Sequence, residues 1–199
     1  MYYRDTWIEV NLSAMEQNIR ELSDLTKKEL IMVVKANAYG HGDLKVAKFA
    51  QQNCNVSFFA VSSMDEATFL RSHLPEGNIL ILGYVRPGHL PDAIAHNITV
   101  TIPSLEYAGQ MEDCTGLHVH IKVDTGMNRL GCRSVEEIRN VYSLLTEKGC
   151  IIDGIFSHYT SSDCDRQQTL RQQETFRNMV KELPYTFRYV HMDNTDGAI

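Results

Sequence analysis

The sequence lacks several features that would place it quickly in a class of proteins. It has no CxxC pair and no zinc-ligand spacing, and its five cysteines are an odd number without close pairing. We therefore expect reduced thiols and a cytoplasmic protein. No apolar run approaches the length of a membrane span, and the first residues, Met1 to Asp5, lack the apolar stretch of a signal peptide.

Positive charge is also scarce. The chain carries 19 Lys and Arg against 25 Asp and Glu, for a net charge of −6. We expect no nucleic-acid partner, because phosphate backbones bind to basic surfaces. P-loop, GxGxxG and GxSxG motifs are absent, which disfavours nucleotide binding and Ser/His/Asp catalysis. A small anionic ligand needs only a few local donors and is compatible with this composition.

What the sequence does contain is a regular alternation of apolar runs and amphipathic stretches. The runs are short and rich in Val and Ile, as in strands buried on both faces. Ser13-x-x-Glu16, Ser63-x-x-Glu66 and Ser134-x-x-Glu137 each fit a capping box at a helix start. The predicted strands are Leu30–Val34, Phe58–Ser62, Ile79–Leu82, Ile98–Ile102, Leu117–Val123, Ile151–Phe156 and Phe187–His191.

This alternation predicts βαβ units and a parallel sheet of the α/β class. A TIM-type (β/α)₈ barrel needs eight such units in roughly 250 residues, whereas we count about seven here. No Pro-, Gly- or Ser-rich linker divides the chain. We therefore expect residues 1–199 to form one domain, an incomplete barrel that stops before its last strand.

In a barrel, the chemistry gathers where strands end, because the following loops converge on one mouth. The first strand runs directly into Lys35, and burial there would lower the pKa of the amine and favour Schiff-base chemistry. The alternative without a functional role is a lysine whose side chain extends from the strand end to solvent. Tyr39 and the nearby glycines, Gly40 and Gly42, shift the balance towards a ligand site, because glycine permits close approach.

Polar residues also mark the later strand ends. On the fifth strand, the period of two places His118, His120, Lys122 and Asp124 on one face, followed by Arg129. A metal site using His118, His120 and His158 is an alternative, although further ligands at the usual spacing are absent. His158 follows the sixth strand and could equally be an ordinary core histidine. Asn194 and Thr195 follow the seventh strand in a turn suited to a phosphate.

Four blocks of this sequence, in order, resemble the alanine racemase family, which consists of fold-type III pyridoxal-phosphate (PLP) enzymes. The most specific is VVKANAYGHG, at 33–42, which is similar to the cofactor-lysine signature. The others are RDTWIEVNL at 4–12, KVDTGMNRLG at 122–131 and SHY at 157–159. The resemblance runs over essentially the whole chain and identifies it with the N-terminal barrel portion of such an enzyme, without the family's C-terminal β domain.

The resemblance implies a PLP-dependent isomerase that interconverts L- and D-alanine for cell-wall peptidoglycan and works as a homodimer. Lys35 would form the internal aldimine with PLP and serve as one of two acid–base groups. Tyr39, Asn194 and Thr195 would hold the phosphate, and Leu82 would line the pocket. Arg129 would bind the cofactor's phenolic oxygen or the substrate carboxylate. His158 would lie behind the cofactor, and Lys122 stands where the family often carries a carbamylated lysine.

Two departures from the family pattern qualify these expectations. Asp193 and Asp196 flank the seventh-strand Asn-Thr pair, and carboxylates near a phosphate are unfavourable unless they point away. The second acid–base group, a tyrosine of the partner subunit in this family, would lie beyond residue 199, so residues 1–199 alone are expected to be inactive. A serine racemase domain of a membrane-tethered vancomycin-resistance protein and a non-catalytic PLP-binding barrel are the alternatives.

Overall fold

The computed structural model describes residues 5–112 and 114–199. Arg4, part of the first block of resemblance, lies outside the described residues. The strands are β1 (Ile31–Val33), β2 (Phe58–Val61), β3 (Asn78–Ile81), β4 (Thr99–Ile102), β5 (His118–Lys122), β6 (Ile151–Phe156) and β7 (Tyr189–His191). They pair in parallel in the order β1-β2-β3-β4-β5-β6-β7, which confirms every predicted strand to within a few residues.

Helices connect these strands, as the capping signals predict. They are α1 (Leu12–Thr26), α2 (Lys35–Tyr39), α3 (Asp43–Cys54), α4 (Met64–His73), α5 (Leu90–Ala95), α6 (Leu105–Gln110), α7 (Val135–Glu147), α8 (Arg166–Lys181) and α9 (Thr195–Ala198), with a 3₁₀ helix at Pro87–His89. None of the helices in the described part of the chain is long and apolar enough to cross a membrane.

The capping predictions are correct for two helices and wrong for one. Ser63 and Ser134 cap α4 and α7, each accepting a hydrogen bond from the backbone N–H of the glutamate three residues on. The first helix is instead capped by Asn11, whose side chain accepts from Ala14 N. Asn11 competes successfully because asparagine is at least as good a cap as serine and precedes it in the chain.

The sheet curls strongly, and side-chain contacts across its concave face show this directly. The centre of the Phe58 ring on β2 lies 5.1 Å from the centre of the Tyr189 ring on β7. Asn78 on β3 donates a hydrogen bond of 3.2 Å to the Tyr189 hydroxyl. Strands that stand five and four places apart in the sheet therefore meet inside it, as in an incomplete TIM-type barrel.

Alternate residues of β2 contribute to two separate apolar layers. On β2, Phe59 and Val61 pack outwards into the main core beneath the helices. Phe58 and Ala60 point inwards and form a smaller cluster with Leu80 inside the curled sheet. Each fully buried Val, Leu, Ile or Phe stabilises the fold by about 1.5–3 kcal/mol, so the larger, outer layer supplies most of the stabilisation.

Candidate active site

Lys35 lies at the mouth of the barrel, immediately after β1, in a backbone turn of unusual conformation. Residues Ala36, Asn37, Ala38 and Tyr39 all have φ between 50° and 56°, the left-handed region. The α2 segment is therefore a single left-handed turn. An L-residue costs about 1–2 kcal/mol in this conformation, so the surrounding structure must stabilise the turn.

Hydrogen bonds within the turn supply part of that stabilisation. Ala38 N donates to Val34 O at 2.9 Å, and Val34 N donates to Ala60 O of β2 at 2.8 Å, which ties the turn to the sheet. Asn37 joins the turn to the next helix. Its backbone oxygen accepts from Gly42 N at 2.9 Å, and its side-chain oxygen accepts from Asp43 N at 3.1 Å, at the start of α3.

The turn brings the two residues of the signature block together. The Lys35 amine lies 5.9 Å from the centre of the Tyr39 ring. Lys35 is half-buried, whereas the Tyr39 side chain is 63% exposed and faces the open mouth. An amine and a phenol are thus held side by side on one hydrogen-bonded turn.

Three positive charges converge on His158, which follows β6. Burial lowers the pKa of His158, and the positive charges of Lys122, Arg129 and Lys35 lower it further. The imidazole therefore stays neutral near pH 7. Lys35 after β1, Lys122 and Arg129 at and after the end of β5, and His158 after β6 therefore lie close enough for their charges to interact.

Lys122 is the buried member of that group. It ends β5 with only 6% of its surface exposed, and its amine donates to Val123 O at 2.9 Å. Burial and the nearby Arg129 lower the pKa of Lys122 to about 8, against an opposing effect of Asp124. A substantial neutral fraction of this amine is accessible close to physiological pH.

Asp124 shapes the loop that carries Arg129. Its carboxylate accepts hydrogen bonds from Gly126 N at 3.1 Å and Asn128 N at 2.9 Å, and it pairs with Arg133 at 3.3 Å. Burial alone would raise the pKa of Asp124, but these donors hold it below its usual value. Asp124, which the sequence predicts on the same strand face as Lys122, therefore holds the loop that carries Arg129.

Side-chain hydrogen bonds order the turn after β7, and two of them join it to the segment that follows β6. The Asn194 side-chain oxygen accepts from Gly197 N at 2.9 Å and from the Ser162 hydroxyl at 2.7 Å. Thr195 begins α9 and is exposed. Asp193 accepts a hydrogen bond from the Tyr159 hydroxyl, so this added carboxylate is engaged by a neighbouring side chain.

Leu82 and the strand histidines occupy the interior of the curled sheet or its ends. Leu82 packs with the inner cluster of Phe58, Ala60 and Leu80. His118 pairs with Asp153 across β5 and β6, and His120 hydrogen-bonds to His191 at 3.0 Å. Within residues 5–112 and 114–199, no group of three or more His, Cys, Asp or Glu side chains is arranged to hold a metal ion.

The sequence did not identify one residue that contacts the lysine turn. Glu66, in the first turn of α4, accepts a hydrogen bond of 2.8 Å from Ala36 N, thirty residues earlier in the chain. Its capping-box spacing with Ser63 predicts the helix start but carries no information about the second contact.

A cavity of about 470 Å³ lies beside the site and is lined by Arg129 but not by Lys35.

Comparison with known proteins shows the family to which this chain belongs. The family described as "Alanine racemase, N-terminal domain" matches residues 10–199. The chain belongs to the alanine racemase family. It is 37% identical over 206 residues to an alanine racemase of Staphylococcus carnosus, covering 100% of this chain and 53% of that protein. The chain spans about half the length of the curated alanine racemases it matches.

Solved structures of alanine racemase relatives share the fold. An alanine racemase from Oenococcus oeni is 34% identical, with a TM-score of 0.87 over 96% of this chain and 56% of that one. A histidine racemase from Leuconostoc mesenteroides is 26% identical, with a TM-score of 0.91 over 98% of this chain and 55% of that one. The incomplete barrel therefore matches the N-terminal half of racemases of this family.

Proposed function

We propose that this chain is the lysine-bearing part of a PLP-dependent racemase that interconverts L- and D-alanine. The observation that carries the proposal is the placement of Lys35, on a hydrogen-bonded turn beside Tyr39 and near Lys122 and Arg129. The curated relatives are named alanine racemases, which supports alanine as the substrate. The product would serve peptidoglycan synthesis in the cytoplasm.

The donor set at the mouth fits PLP. That cofactor carries an anionic phosphate and a phenolic oxygen, and it requires an amine for covalent attachment. Lys35, Lys122 and Arg129 lie close enough to His158 for their charges to add to the effect of burial in lowering its pKa. Lys35 would hold the cofactor, Tyr39 with Asn194 and Thr195 would bind its phosphate, and Arg129 would bind the phenolic oxygen or the substrate carboxylate.

The chain's own residues then divide the work of racemisation. When bound, PLP delocalises the electron pair left on the α-carbon after its proton is removed. The Lys35 amine would move that proton on one face of the substrate, and its fixed backbone turn limits the amine to that face. The opposing acid–base group would be a tyrosine of the partner subunit in a homodimer, as the family resemblance implies.

Lys122 and His158 would support the reacting groups. With a pKa of about 8, the Lys122 amine reaches the neutral form, which can attack carbon dioxide and release a proton to solvent to become a carbamate. A carbamate beside Arg129 would be anionic and would orient the guanidinium. His158 would present a neutral ring behind the cofactor, because its burial opposes protonation.

Covalent trapping tests the lysine assignment. The full-length protein would be incubated with PLP and reduced with borohydride, and the modified lysine would be located by peptide mass spectrometry. Modification is expected at Lys35 and is expected to disappear in Lys35→Ala. Lys45→Ala, which changes an exposed lysine on α3, is the matched control and should leave the labelling unchanged. Labelling that does not depend on Lys35 in a folded sample would refute the proposal.

Substrate preference is tested separately in the same protein. Racemisation rates for L-alanine, L-serine and L-histidine would be compared, since a histidine racemase shares this fold. Faster turnover of alanine is expected. A strong preference for serine would favour the serine racemase alternative, and cofactor binding without turnover of any amino acid would favour the non-catalytic barrel.

A further inference from the structure

Glu66 connects the helix α4 to the backbone of the lysine turn. One oxygen, Oε1, accepts from Ala36 N at 2.8 Å. The other, Oε2, accepts from the backbone N–H of Ser62 at 2.7 Å and from the Ser62 hydroxyl at 2.8 Å. A single carboxylate thus joins the residue after Lys35 to the loop that follows β2.

Half of this arrangement is ordinary helix capping, and the chain contains a matched example. Glu137 of α7 accepts from Arg133 N at 2.8 Å, just as Glu66 accepts from Ser62 N. Ser134 caps the backbone of Glu137, just as Ser63 caps that of Glu66. The contact to Ala36 N is an addition to this shared capping geometry.

That additional contact lies where the backbone φ angle changes from negative to positive. Val34 still has negative φ, at −118°, whereas Ala36 has φ of 52° and is the first of four left-handed residues. These are not glycines, so the conformation is intrinsically unfavourable and depends on external contacts. Glu66 supplies a charged acceptor at the first of these residues, adjacent to Lys35.

The charge state of Glu66 suits this role. Burial would raise its pKa, but the backbone donors of Ser62 and Ala36 and the Ser62 hydroxyl hold the pKa below its usual value. The carboxylate therefore stays ionised at neutral pH, and both oxygens accept. Hydrogen bonds to an ionised acceptor are stronger than those between neutral groups.

We propose that Glu66 is a positioning residue, which holds the Lys35–Tyr39 turn in its left-handed conformation and thereby places the Lys35 amine. The consequence for catalysis rests on the proposed function, whereas the clamp on the turn does not. The residue acts through the backbone of Ala36 and makes no contact with substrate.

The test compares Glu66→Gln with Glu137→Gln in the full-length protein. Glutamine has a single acceptor oxygen, so Glu66→Gln cannot satisfy both Ala36 N and Ser62 N. Amide hydrogen exchange of the peptide spanning 36–42, measured without cofactor, is expected to accelerate about ten-fold or more. Glu137→Gln makes the same change of side chain at the matched cap, and it should leave exchange in this peptide unchanged.

The loaded enzyme supplies independent measurements. In Glu66→Gln the dissociation constant of PLP is expected to rise about ten-fold, and kcat to fall more than KM rises, because the amine is misplaced. Should Glu66→Gln be too unstable to purify, Glu66→Asp serves instead. It keeps the charge, but it is one methylene shorter, and it is expected to lose the reach to Ala36.

The outcomes separate the two proposals. Unchanged exchange at 36–42 in the Glu66 variants, or an equal rise in Glu137→Gln, would overturn the clamp. Faster exchange in the Glu66 variants, together with failure of the wild type to attach PLP at Lys35, would uphold the clamp and refute the proposed function. Faster exchange with weaker PLP binding supports both.

Discussion

His120 Nδ1 and His191 Nε2 lie 3.0 Å apart and share a hydrogen bond inside the curled sheet. The other ring nitrogen of His120, Nε2, is buried and is hydrogen-bonded to none of the described residues. Burial and the neighbouring His191 lower the pKa of His120 to about 3, and burial and Lys122 lower that of His191 to about 4. Both rings are therefore neutral in the folded protein at neutral pH.

This pair predicts a specific loss of stability in acid. Because both pKa values are lower in the folded chain than the unfolded value of about 6.5, the unfolded chain binds protons first as the pH falls. The contribution of the two neutral rings to the free energy of unfolding is fully present above about pH 6.5. It should fall by about 1.4 kcal/mol per pH unit for each imidazole as the pH approaches 4. Urea unfolding between these pH values measures the effect.

Removing one ring should weaken that dependence. His120→Gln is expected to reduce the slope of the unfolding free energy against pH by the contribution of one imidazole, about 1.4 kcal/mol per pH unit. The exposed His96 provides the control, and His96→Gln should leave the slope as it is in the wild type. An unchanged slope in His120→Gln would show that other groups cause the acid sensitivity.

A second prediction concerns the space that His120 occupies. A Cβ at Gly154, on the neighbouring strand β6, would lie 2.7 Å from the Cε1 and Nε2 atoms of His120. Gly154→Ala is therefore expected to destabilise the protein by about 1–3 kcal/mol. In a His120→Ala background the same change should cost little, because the opposing ring is gone. A thermodynamic cycle of chemical unfolding measures the coupling, and additive effects would contradict the prediction.

A third prediction concerns the loop that carries Arg129. Gly131 has φ of +130°, and a Cβ there would lie 2.5 Å from Asp124 N and 2.6 Å from Val123 C. Both the conformation and the backbone contact oppose a side chain, so Gly131→Ala is expected to cost about 2 kcal/mol or more. Gly109→Ala is the control. Its Cβ meets nothing within 4 Å, and alanine favours the helix α6. Thermal unfolding should show opposite shifts for the two variants.

A fourth prediction tests the electrostatic link between β5 and β6. In protein whose Lys122 carries no carbamate, Lys122→Met removes one positive charge that opposes protonation of His158, so the pKa of His158 should rise towards its usual value. An NMR titration of the imidazole resonance measures the shift. Lys181→Met, at the exposed end of α8, should leave the titration unchanged. If His158 titrates identically in Lys122→Met, the two side chains are not electrostatically coupled.

Periodicity in the sequence was sufficient to predict the architecture. Apolar runs such as Phe58–Ser62 predict strands, and the sites Ser63-x-x-Glu66 and Ser134-x-x-Glu137 predict the starts of α4 and α7, because strand burial and helix capping are local in the chain. The same logic failed at Ser13, where two capping candidates lie two residues apart and only backbone geometry selects Asn11. Lys35 was also identifiable, since it directly follows a buried strand.

Tertiary structure alone decided how these residues interact. The pairing of His120 with His191, 71 residues apart, depends on how strongly the sheet curls. The left-handed conformation of Ala36 and its contact with Glu66 depend on where α4 lies relative to β1. Residue order determines local propensity, whereas curvature and packing determine which distant groups meet, desolvate one another and shift one another's pKa. The sequence by itself therefore determined the strands, their order and the lysine, and the fold determined the electrostatics of the mouth and the contacts of its lysine turn.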